Sequence, residues 1–393
     1  MEILGGENRG ETPSIVDALD ECQDEEPASA LLSILSRFLD RIPSVKFFIT
    51  GRPEARIRSG FRLKSLQPHT DVLRLHEVKR TFVNADIRLY LKVQLVDIVR
   101  NRSDCNLSEE WPSLAELEIL CNKAAGLFIY ASTVVRFIAS EDHQPTARLT
   151  DIVMLPESTV KEGEAGIDQL YTEVLQRAFH KIQADDENFY SQFRSIVGTV
   201  VLVFNPLSMP ALSDLLGVPN ISTALWSLHS LLIVPENQLN PQPIHVLHKS
   251  FPDFLTDPKR CTDKQLFVDP SVNHMDIMLS CLMLMKRKLK RNICQLDDFS
   301  VLSEVRDLAV RRKAHIGDGL EYSCQFWASH LVRTVTSGPD VEGVHRAIDE
   351  FFTTHLLFWI EVLSLMDILD SGVYALRNID EWYVKVSYTS DTC

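Results

Sequence analysis

A chain of 393 residues with 45% apolar side chains can bury a sizeable core and is long enough for two or three domains. Its 40 basic side chains are outnumbered by 54 acidic ones, and the net charge of −14 argues against nucleic acid or an anionic membrane surface as a general partner. The eight cysteines are widely spaced and form no C-x-x-C pair, so we expect reduced, mostly buried thiols in a cytoplasmic protein.

Two apolar stretches, 126–139 and 355–369, are the longest in the chain. Each contains at least one charged residue and is shorter than the roughly 18 apolar residues that a membrane-spanning helix needs. The N-terminal residues also lack the basic start and the apolar run of a secretory signal. We therefore predict buried helices at both stretches, no membrane span and no export.

The first 78 residues alternate β-prone runs with a helical pattern, which indicates an α/β fold. The first β-prone run is 14–16. Apolar residues at helical spacing predict a helix over 27–42, and the run VKFFIT predicts a buried strand over 45–50. A third, weaker strand is predicted over 71–75.

From residue 79 onward the apolar spacing is almost wholly helical, which predicts a change of architecture near residue 80. We expect helices over 82–101, 113–123, 126–140, 167–181 and 188–204. The stretch 141–166 is rich in proline, threonine and glutamate, which predicts that part of it is a mobile linker. The segment 79–183 is therefore predicted to be a helical domain.

Residues 184–268 are predicted to form a winged-helix domain. The pattern gives helices over 209–216 and 222–231, an extended pair around 232–235 and 244–247, and a helix beginning near His248. Two short helices followed by a two-stranded wing fit that fold, and a simple helical connector is the alternative. We do not expect DNA as a partner, because acidic residues outnumber basic ones over 205–260.

Residues 269–393 are predicted to form a C-terminal helical region, with helices over 274–290, 320–336, 341–369 and a last one that reaches residue 388. No self-similarity with a period of about 30 to 45 residues is found, so no array of ankyrin, tetratricopeptide or WD repeats is predicted. The basic run 286–291 follows an apolar stretch. It is either a patch for acidic lipid or a calmodulin-like partner, or a solvated helix end that complements the helix dipole.

The residues that most suggest chemistry follow the first β-prone run, in the sequence IVDALDEC. Carboxylates at the end of a short apolar strand suit a Walker B element, which manages magnesium and water in nucleotide hydrolases. Asp17 would hold Mg²⁺, and Asp20 with Glu21 would polarise the attacking water. The alternative is an acidic loop that is simply solvated.

An arginine follows the second predicted strand, in the sequence FFITGRPE. In nucleotide switches the strand beside Walker B carries a sensor residue at the same edge. The guanidinium of Arg52 would suit this role, because it can contact a terminal phosphate through two parallel hydrogen bonds. The alternative for Arg52 is a surface salt bridge.

A series of short segments extends along nearly the whole chain: IVDALDEC, FFITGRPEARIRSGF, ADIRLYL, KAAGLFIYASTVVRFI, LYTEVLQRAF, NPLSMPALSDLLGV, LHKSFPDFLTDPKRC, LKRNICQL and LEYSCQFWASHL. In this order they resemble the fungal NACHT-domain STAND proteins. The resemblance implies a mainly α protein with a small N-terminal α/β remnant. It implies a partial P-loop NTPase (NACHT) core over 1–78, a helical lid domain over 79–183, a winged-helix domain over 184–268 and a C-terminal helical region over 269–393.

The resemblance also implies roles for individual residues. Asp17 would be the Mg²⁺ residue, Asp20 and Glu21 the water-activating acids, and Arg52 the sensor. His248, in the segment LHKSF, would be the winged-helix histidine that faces the β-phosphate of the nucleotide, and its alternative role is to cap the helix that follows. Complete members of the family bind ATP or ADP with Mg²⁺.

The phosphate-binding loop of the family is missing from this sequence. That loop reads G-x-x-x-x-G-K-[ST], and the dipeptide Gly-Lys occurs nowhere in the 393 residues. The glycine-rich run GGENRG over 5–10 has no lysine, opens no predicted helix and directly precedes the predicted Walker B strand. We therefore expect a chain truncated at its N-terminus, with Walker A absent and no cofactor bound.

The missing loop also removes a strand of the family's sheet. The predicted strands at 15–16, 45–50 and 71–75 would then be strands 3, 4 and 5 of the order 5-1-4-3-2, and strands 4 and 5 would flank a vacant place. Unpaired strand edges are costly. Either 71–75 shifts to pair with 45–50, or this α/β portion is poorly formed.

Three functional hypotheses follow from the sequence. The first is a non-catalytic regulatory or protein-interaction module, with protein partners or a homo-oligomer and negligible ATP hydrolysis. The second is an incomplete copy of an ATP-dependent NACHT switch that hydrolyses ATP and oligomerises in fungal self/non-self recognition or defence. The third is an α-rich scaffold fragment with no activity of its own.

Overall fold

The computed structural model of the protein describes residues 12–22, 25–42, 44–102, 111–140, 144–156, 164–179, 186–219, 221–222, 225, 227–235, 242–297, 302–337 and 340–390. These residues belong to two compact units, Met1–Lys79 and Arg80–Cys393. Helices dominate the described residues, which confirms the predicted mainly α class. The finer division of the second unit at residues 183 and 268 stays a prediction.

The first unit contains two parallel strands, β1 (Thr12–Val16) and β2 (Val45–Ile49), in which Ile15 lies opposite Phe48. Helix α1 (Glu25–Phe38) connects them and packs on α2 (Ala55–Phe61). The apolar residues of α1 recur at helical spacing and bury one face. The small core of the unit consists of Leu19, Ala28, Leu32, Leu35, Ile57 and Leu66. The two predicted strands and the helix between them are therefore confirmed.

The predicted strand over 71–75 is wrong. Residues 70–74 have no regular secondary structure, and a short 3₁₀ turn follows at Leu75–Glu77. An extended segment becomes a strand only when a neighbour takes its backbone hydrogen bonds, and β2 pairs with β1 alone among the described residues. The prediction of a fully buried β2 is also wrong, because Phe48 is 65% exposed and Ile15 on β1 is 74% exposed.

Helices make up most of the second unit. Before its short strands the described residues include α3 (Arg80–Asn101), α4 (Leu114–Ala124), α5 (Phe128–Ala139), α6 (Pro145–Met154), α7 (Glu164–Ala178), α8 (Glu187–Leu202) and α9 (Met209–Leu216). Ser113 and Glu116 form a reciprocal capping box at the start of α4, and Gly217 ends α9 with a positive φ of 65°. The stretch 141–166, part of which was predicted to be a linker, contains α6 with Leu149 and Ile152 buried, and residues 141–143 and 157–163 lie outside the described residues.

The predicted wing is a short antiparallel pair, β3 (Leu232–Ile233) and β4 (His245–Val246). Helix α10 (Ser250–Thr256) follows it. The predicted helix over 222–231 includes residues outside the described part of the chain. The extended pair is confirmed, and the assignment of a winged-helix domain stays a prediction.

In the rest of the unit, the part of the chain that the structure describes contains α11 (Pro270–Lys288), α12 (Leu308–His315), α13 (Asp318–Leu331), α14 (Val341–Thr354), α15 (Leu356–Leu365) and α16 (Leu369–Ser390). The helix predicted over 341–369 is broken at His355, and α12 was missed by the sequence analysis. Helix α13 is central, with α9, α11, α15 and α16 packed against it. The buried indole of Trp359 links α15 to α13, because its Nε1 donates a hydrogen bond to the carbonyl of Cys324 at 2.8 Å.

The described cysteines are free thiols, as predicted, and part of the basic run 286–291 makes contacts within the second unit. Six cysteines lie in the described residues as free thiols, and five of them are buried. In the basic run, Lys286 pairs with Glu350, and both Arg287 and Lys288 contact Asp214. These charges therefore serve contacts within the unit. Within the described residues, no helix is both long enough and apolar enough to cross a bilayer.

A chain of hydrogen bonds joins two buried histidines to a tyrosine inside the second unit. His274 Nδ1 lies 2.7 Å from His330 Nδ1, His330 Nε2 lies 2.7 Å from the Tyr322 hydroxyl, and this oxygen accepts the N–H of Phe204. These three contacts are all hydrogen bonds when both rings are neutral, Tyr322 donates to His330 Nε2 and His330 Nδ1 donates to His274 Nδ1. Burial lowers the pKa of His274 to about 4, and burial together with His274 and Arg333 lowers the pKa of His330 well below 6.5.

The stability of the second unit should depend on these histidines between pH 7 and pH 5. Unfolded histidines bind protons below about pH 6.5, while the folded rings stay neutral, so stability falls as the pH falls. For His274 the loss at pH 5 is about 2 kcal/mol. Urea unfolding at pH 7 and pH 5 should show a smaller pH difference for His274→Gln than for the unchanged chain. The surface variant His245→Gln should keep the full difference, and an equal effect of both variants would contradict this account.

Helices α13 and α9 approach closely at Gly319. A Cβ there would lie 2.9 Å from the backbone oxygen of Ala211, which a rigid helix holds in place. Gly319→Ala should therefore destabilise the second unit by about 1–3 kcal/mol. Gly343→Ala, in α14, meets nothing within 4 Å and should stabilise it by about 0.5–1 kcal/mol. Urea midpoints of the two variants should move in opposite directions, and movement in the same direction would refute the close approach.

Candidate functional site

The loops that follow β1 and β2 are tied together by Thr50, the residue directly after β2. Its hydroxyl accepts the N–H of Ala18 at 2.8 Å and donates to Asp17 Oδ1. Its carbonyl accepts the N–H of Leu19, and its N–H donates to the carbonyl of Val16, both at 2.9 Å. Parallel strands bring their carboxyl ends to one edge, and Thr50 joins the two ends there.

Asp20 is turned into the protein. The residue is 5% exposed, and its Oδ1 accepts the backbone N–H of Arg52 at 3.0 Å. The guanidinium of Arg52 lies 3.7 Å from the other carboxylate oxygen, and Arg56 donates to the Asp20 carbonyl at 3.1 Å. The predicted acid and the predicted sensor therefore contact one another, and both hold the loop between β2 and α2.

Asp17 and Glu21 are exposed at the same edge. Ala18 adopts a left-handed conformation with φ 53°, and the 3₁₀ turn Leu19–Glu21 follows it. Among the described residues, no group of three or more acidic, histidine or cysteine side chains is arranged to hold a metal ion. Asp17 with the Thr50 hydroxyl offers two oxygen ligands, and Mg²⁺ takes six, usually with waters and substrate phosphates among them.

His248 belongs to the second unit and precedes α10 by two residues. Its Nδ1 accepts the N–H of Ser250 at 3.1 Å and lies 2.7 Å from the Ser250 hydroxyl, which in turn is 2.7 Å from the Tyr171 hydroxyl. Burial raises the pKa of Tyr171 to about 12, so this hydroxyl stays protonated at neutral pH. His248 is exposed, and its ring accepts the N–H of the first residue of α10, which fits the alternative role of capping that helix.

Sequence reasoning found the acids and Arg52 but missed Thr50 and Arg56 as parts of the arrangement. A polar residue at the end of the VKFFIT run was the signal for Thr50, since that position meets the end of the neighbouring parallel strand. Nothing in the local pattern indicated Arg56. Its contact with Asp20 depends on the turn that brings α2 back toward β1.

Comparison with known proteins gives one informative similarity. No family model and no solved structure matches the chain. The chain is similar to the vegetative incompatibility protein HET-E-1 of Podospora anserina, with 23% identity over 391 aligned residues. The match covers 93% of this chain and 26% of the relative, so the chain spans about a quarter of that protein's length. At this identity the similarity to that protein is a distant one.

Replacing the buried acid should loosen the first unit. In Asp20→Asn the Arg52 amide keeps a neutral acceptor while the guanidinium loses its charged partner, which should cost about 1–3 kcal/mol. Glu21→Gln removes an exposed charge one residue away and should cost less than about 0.5 kcal/mol. Hydrogen exchange of β1 and β2 amides, read by mass spectrometry, should accelerate in Asp20→Asn only. Equal protection in the two variants would show that the Asp20 contacts do not hold the strands.

Proposed function

We propose that this chain is a NACHT-like signalling module that acts through protein contacts and does not itself hydrolyse ATP. Its distant similarity to a vegetative incompatibility protein supports a signalling role, and we extend it to a related recognition or defence response. The partners would be other proteins or a second copy of the chain, with no nucleic acid and no cofactor. The geometry around Asp20 carries the non-catalytic part of the proposal.

A carboxylate that activates water must present an oxygen to that water, within hydrogen-bond reach of the reacting phosphate. Asp20 is 5% exposed and directs one oxygen at the Arg52 amide and the other toward the Arg52 guanidinium. Both oxygens of Asp20 are therefore used in contacts with Arg52, although the Walker B interpretation requires this carboxylate to activate a water molecule. The Arg52 guanidinium lies beside the Asp20 carboxylate, and this carboxylate would compete with a phosphate for the guanidinium.

The remaining residues fit an incomplete phosphate site. Asp17 and Glu21 are exposed acids, which repel a triphosphate unless a cation lies between. No Gly-Lys dipeptide in the sequence supplies the usual loop of amides and its lysine. His248 is engaged with Ser250 at the start of α10. We therefore expect at most weak nucleotide contact from these side chains.

A second candidate is an incomplete nucleotide switch, and one observation favours it. Ile15 and Phe48 are opposite one another in register and are 74% and 65% exposed, so one face of the two-stranded sheet is bare. Parallel sheets are normally covered on both faces, and two strands alone are marginally stable. The crossover helices that accompany further strands in a longer chain would cover this face. In that case Asp17 would hold Mg²⁺, Asp20 and Glu21 would serve hydrolysis, and Arg52 and His248 would contact the nucleotide.

Nucleotide titration tests the proposal. Isothermal titration of the 393-residue chain with Mg-ATP and with ADP should show no saturable binding tighter than about 1 mM. Asp17→Asn and His248→Ala should leave this result unchanged, because neither side chain has a phosphate to contact. Micromolar binding that either substitution abolishes would refute the non-catalytic proposal. A longer chain that carries an upstream Gly-Lys-Ser/Thr loop and gains such binding would favour the second candidate.

A further inference from the structure

Helix α16 buries one face at regular heptad spacing. Gly372, Ala375, Ile379, Trp382 and Val386 are all buried, and they recur every three or four residues. This inner face packs on α13 and α15. A Cβ on Gly372 would lie 2.8 Å from Leu363 of α15, so the two helices approach closely at that point. Because this inner face is buried, the opposite side of α16 is the one exposed to solvent.

The opposite side of α16 carries a second regular row, Val373, Arg377, Asp380 and Val384, with Leu376 beside it; we call these five residues the outer face. Val373 is 53% exposed and Val384 is 46% exposed. Arg377 and Asp380 are exposed, and neither forms an ion pair with any described residue, whereas the nearby Lys385 and Glu381 pair at 2.7 Å. The row therefore offers two apolar side chains and two unused opposite charges.

Read in the opposite direction, the row again begins and ends with valine, but the arginine and the aspartate exchange places, so the row is complementary to its own reverse. Its midpoint lies between Asn378 and Ile379, with Arg377 and Asp380 each about 2 Å from it along the axis and Val373 and Val384 each about 8 Å from it. An antiparallel copy of the same helix therefore places Val373 against Val384 and Arg377 against Asp380, twice each. The two copies of Leu376 then lie on the same flank of the interface, about 7–8 Å apart along the helix axes and related by the twofold axis. A parallel copy would place arginine against arginine.

We propose that a second copy of this chain packs on the outer face, with the two α16 helices antiparallel across a twofold axis. A twofold interface uses the same surface on both copies, and a row that matches its own reverse meets that requirement. The charges fix the orientation and the register, and the valines and Leu376 supply the buried apolar area. This inference names a surface for self-association and does not depend on the proposed role of the first unit.

Charge reversal tests the pairing in the full chain by sedimentation velocity over a range of concentrations. Arg377→Asp gives an outer face with two acids, and Asp380→Arg gives one with two arginines. Each variant alone should raise the dimer dissociation constant by about tenfold or more. The double variant Arg377→Asp/Asp380→Arg should restore dimerisation, because each charge again meets its opposite. An equimolar mixture of the two single variants should form a heterodimer.

Leu357→Ser is the matched control, because Leu357 is an exposed residue of α15 that is outside the outer face. It should dimerise like the unchanged chain. Circular dichroism and tryptophan fluorescence should be the same in all variants, which would show that the helical fold is intact. A chain that is monomeric at about 100 µM would overturn the proposal. So would single variants that associate normally, or a double variant that fails to recover when its α16 is folded.

Discussion

The first unit depends on one constraint: two parallel strands must be held together, and no further strand pairs with them among the described residues. Their ladder alone is short, and the loops after the strands supply the rest. Thr50 joins both strand ends through its hydroxyl, its carbonyl and its N–H, and Asp20 binds the amide and the guanidinium of Arg52. Charged hydrogen bonds that are shielded from water are the strong ones. The residues that resemble a hydrolytic site therefore form the main polar support of the unit.

The second unit is organised around a buried helix that brings several polar side chains into the core, of which Trp327 Nε1 alone has no hydrogen-bond partner among the described residues. Helix α13 carries Tyr322, Ser323 and His330 into the core, and each finds an acceptor or donor: Ser323 donates to the Gly319 carbonyl, and Tyr322 and His330 bond one another. Unpaired groups at this depth would cost more than the bonds gain. The same requirement keeps both buried histidines neutral, which makes the helical packing sensitive to acid.

Periodicity in the sequence predicted most helices because an amphipathic face is a local property. The segment 71–75 shows where local reasoning fails, since β-prone residues form a strand only if another strand accepts their hydrogen bonds. The contact of His274 with His330 spans 56 positions and left no local signal. The pattern IVDALDEC predicted acids at the strand end correctly. It did not predict that the left-handed Ala18 would precede a turn in which Asp20 faces inward while Asp17 stays exposed.

Apolar surface that the two units leave uncovered favours function through contacts. Helix α3 buries Ile87, Leu91 and Leu95 on one face and exposes Phe82, Leu89 and Val93, so it has two apolar sides. The sheet of the first unit and the outer face of α16 add further uncovered apolar residues. Burying such residues against a partner lowers the free energy by about 25 cal/mol per Å² of apolar surface removed from water. Exposed apolar sides on separate elements support the proposal that the chain acts through contacts with other protein. The outer face of α16 combines such apolar residues with charges whose order matches its own reverse, which is the basis of the proposed self-association.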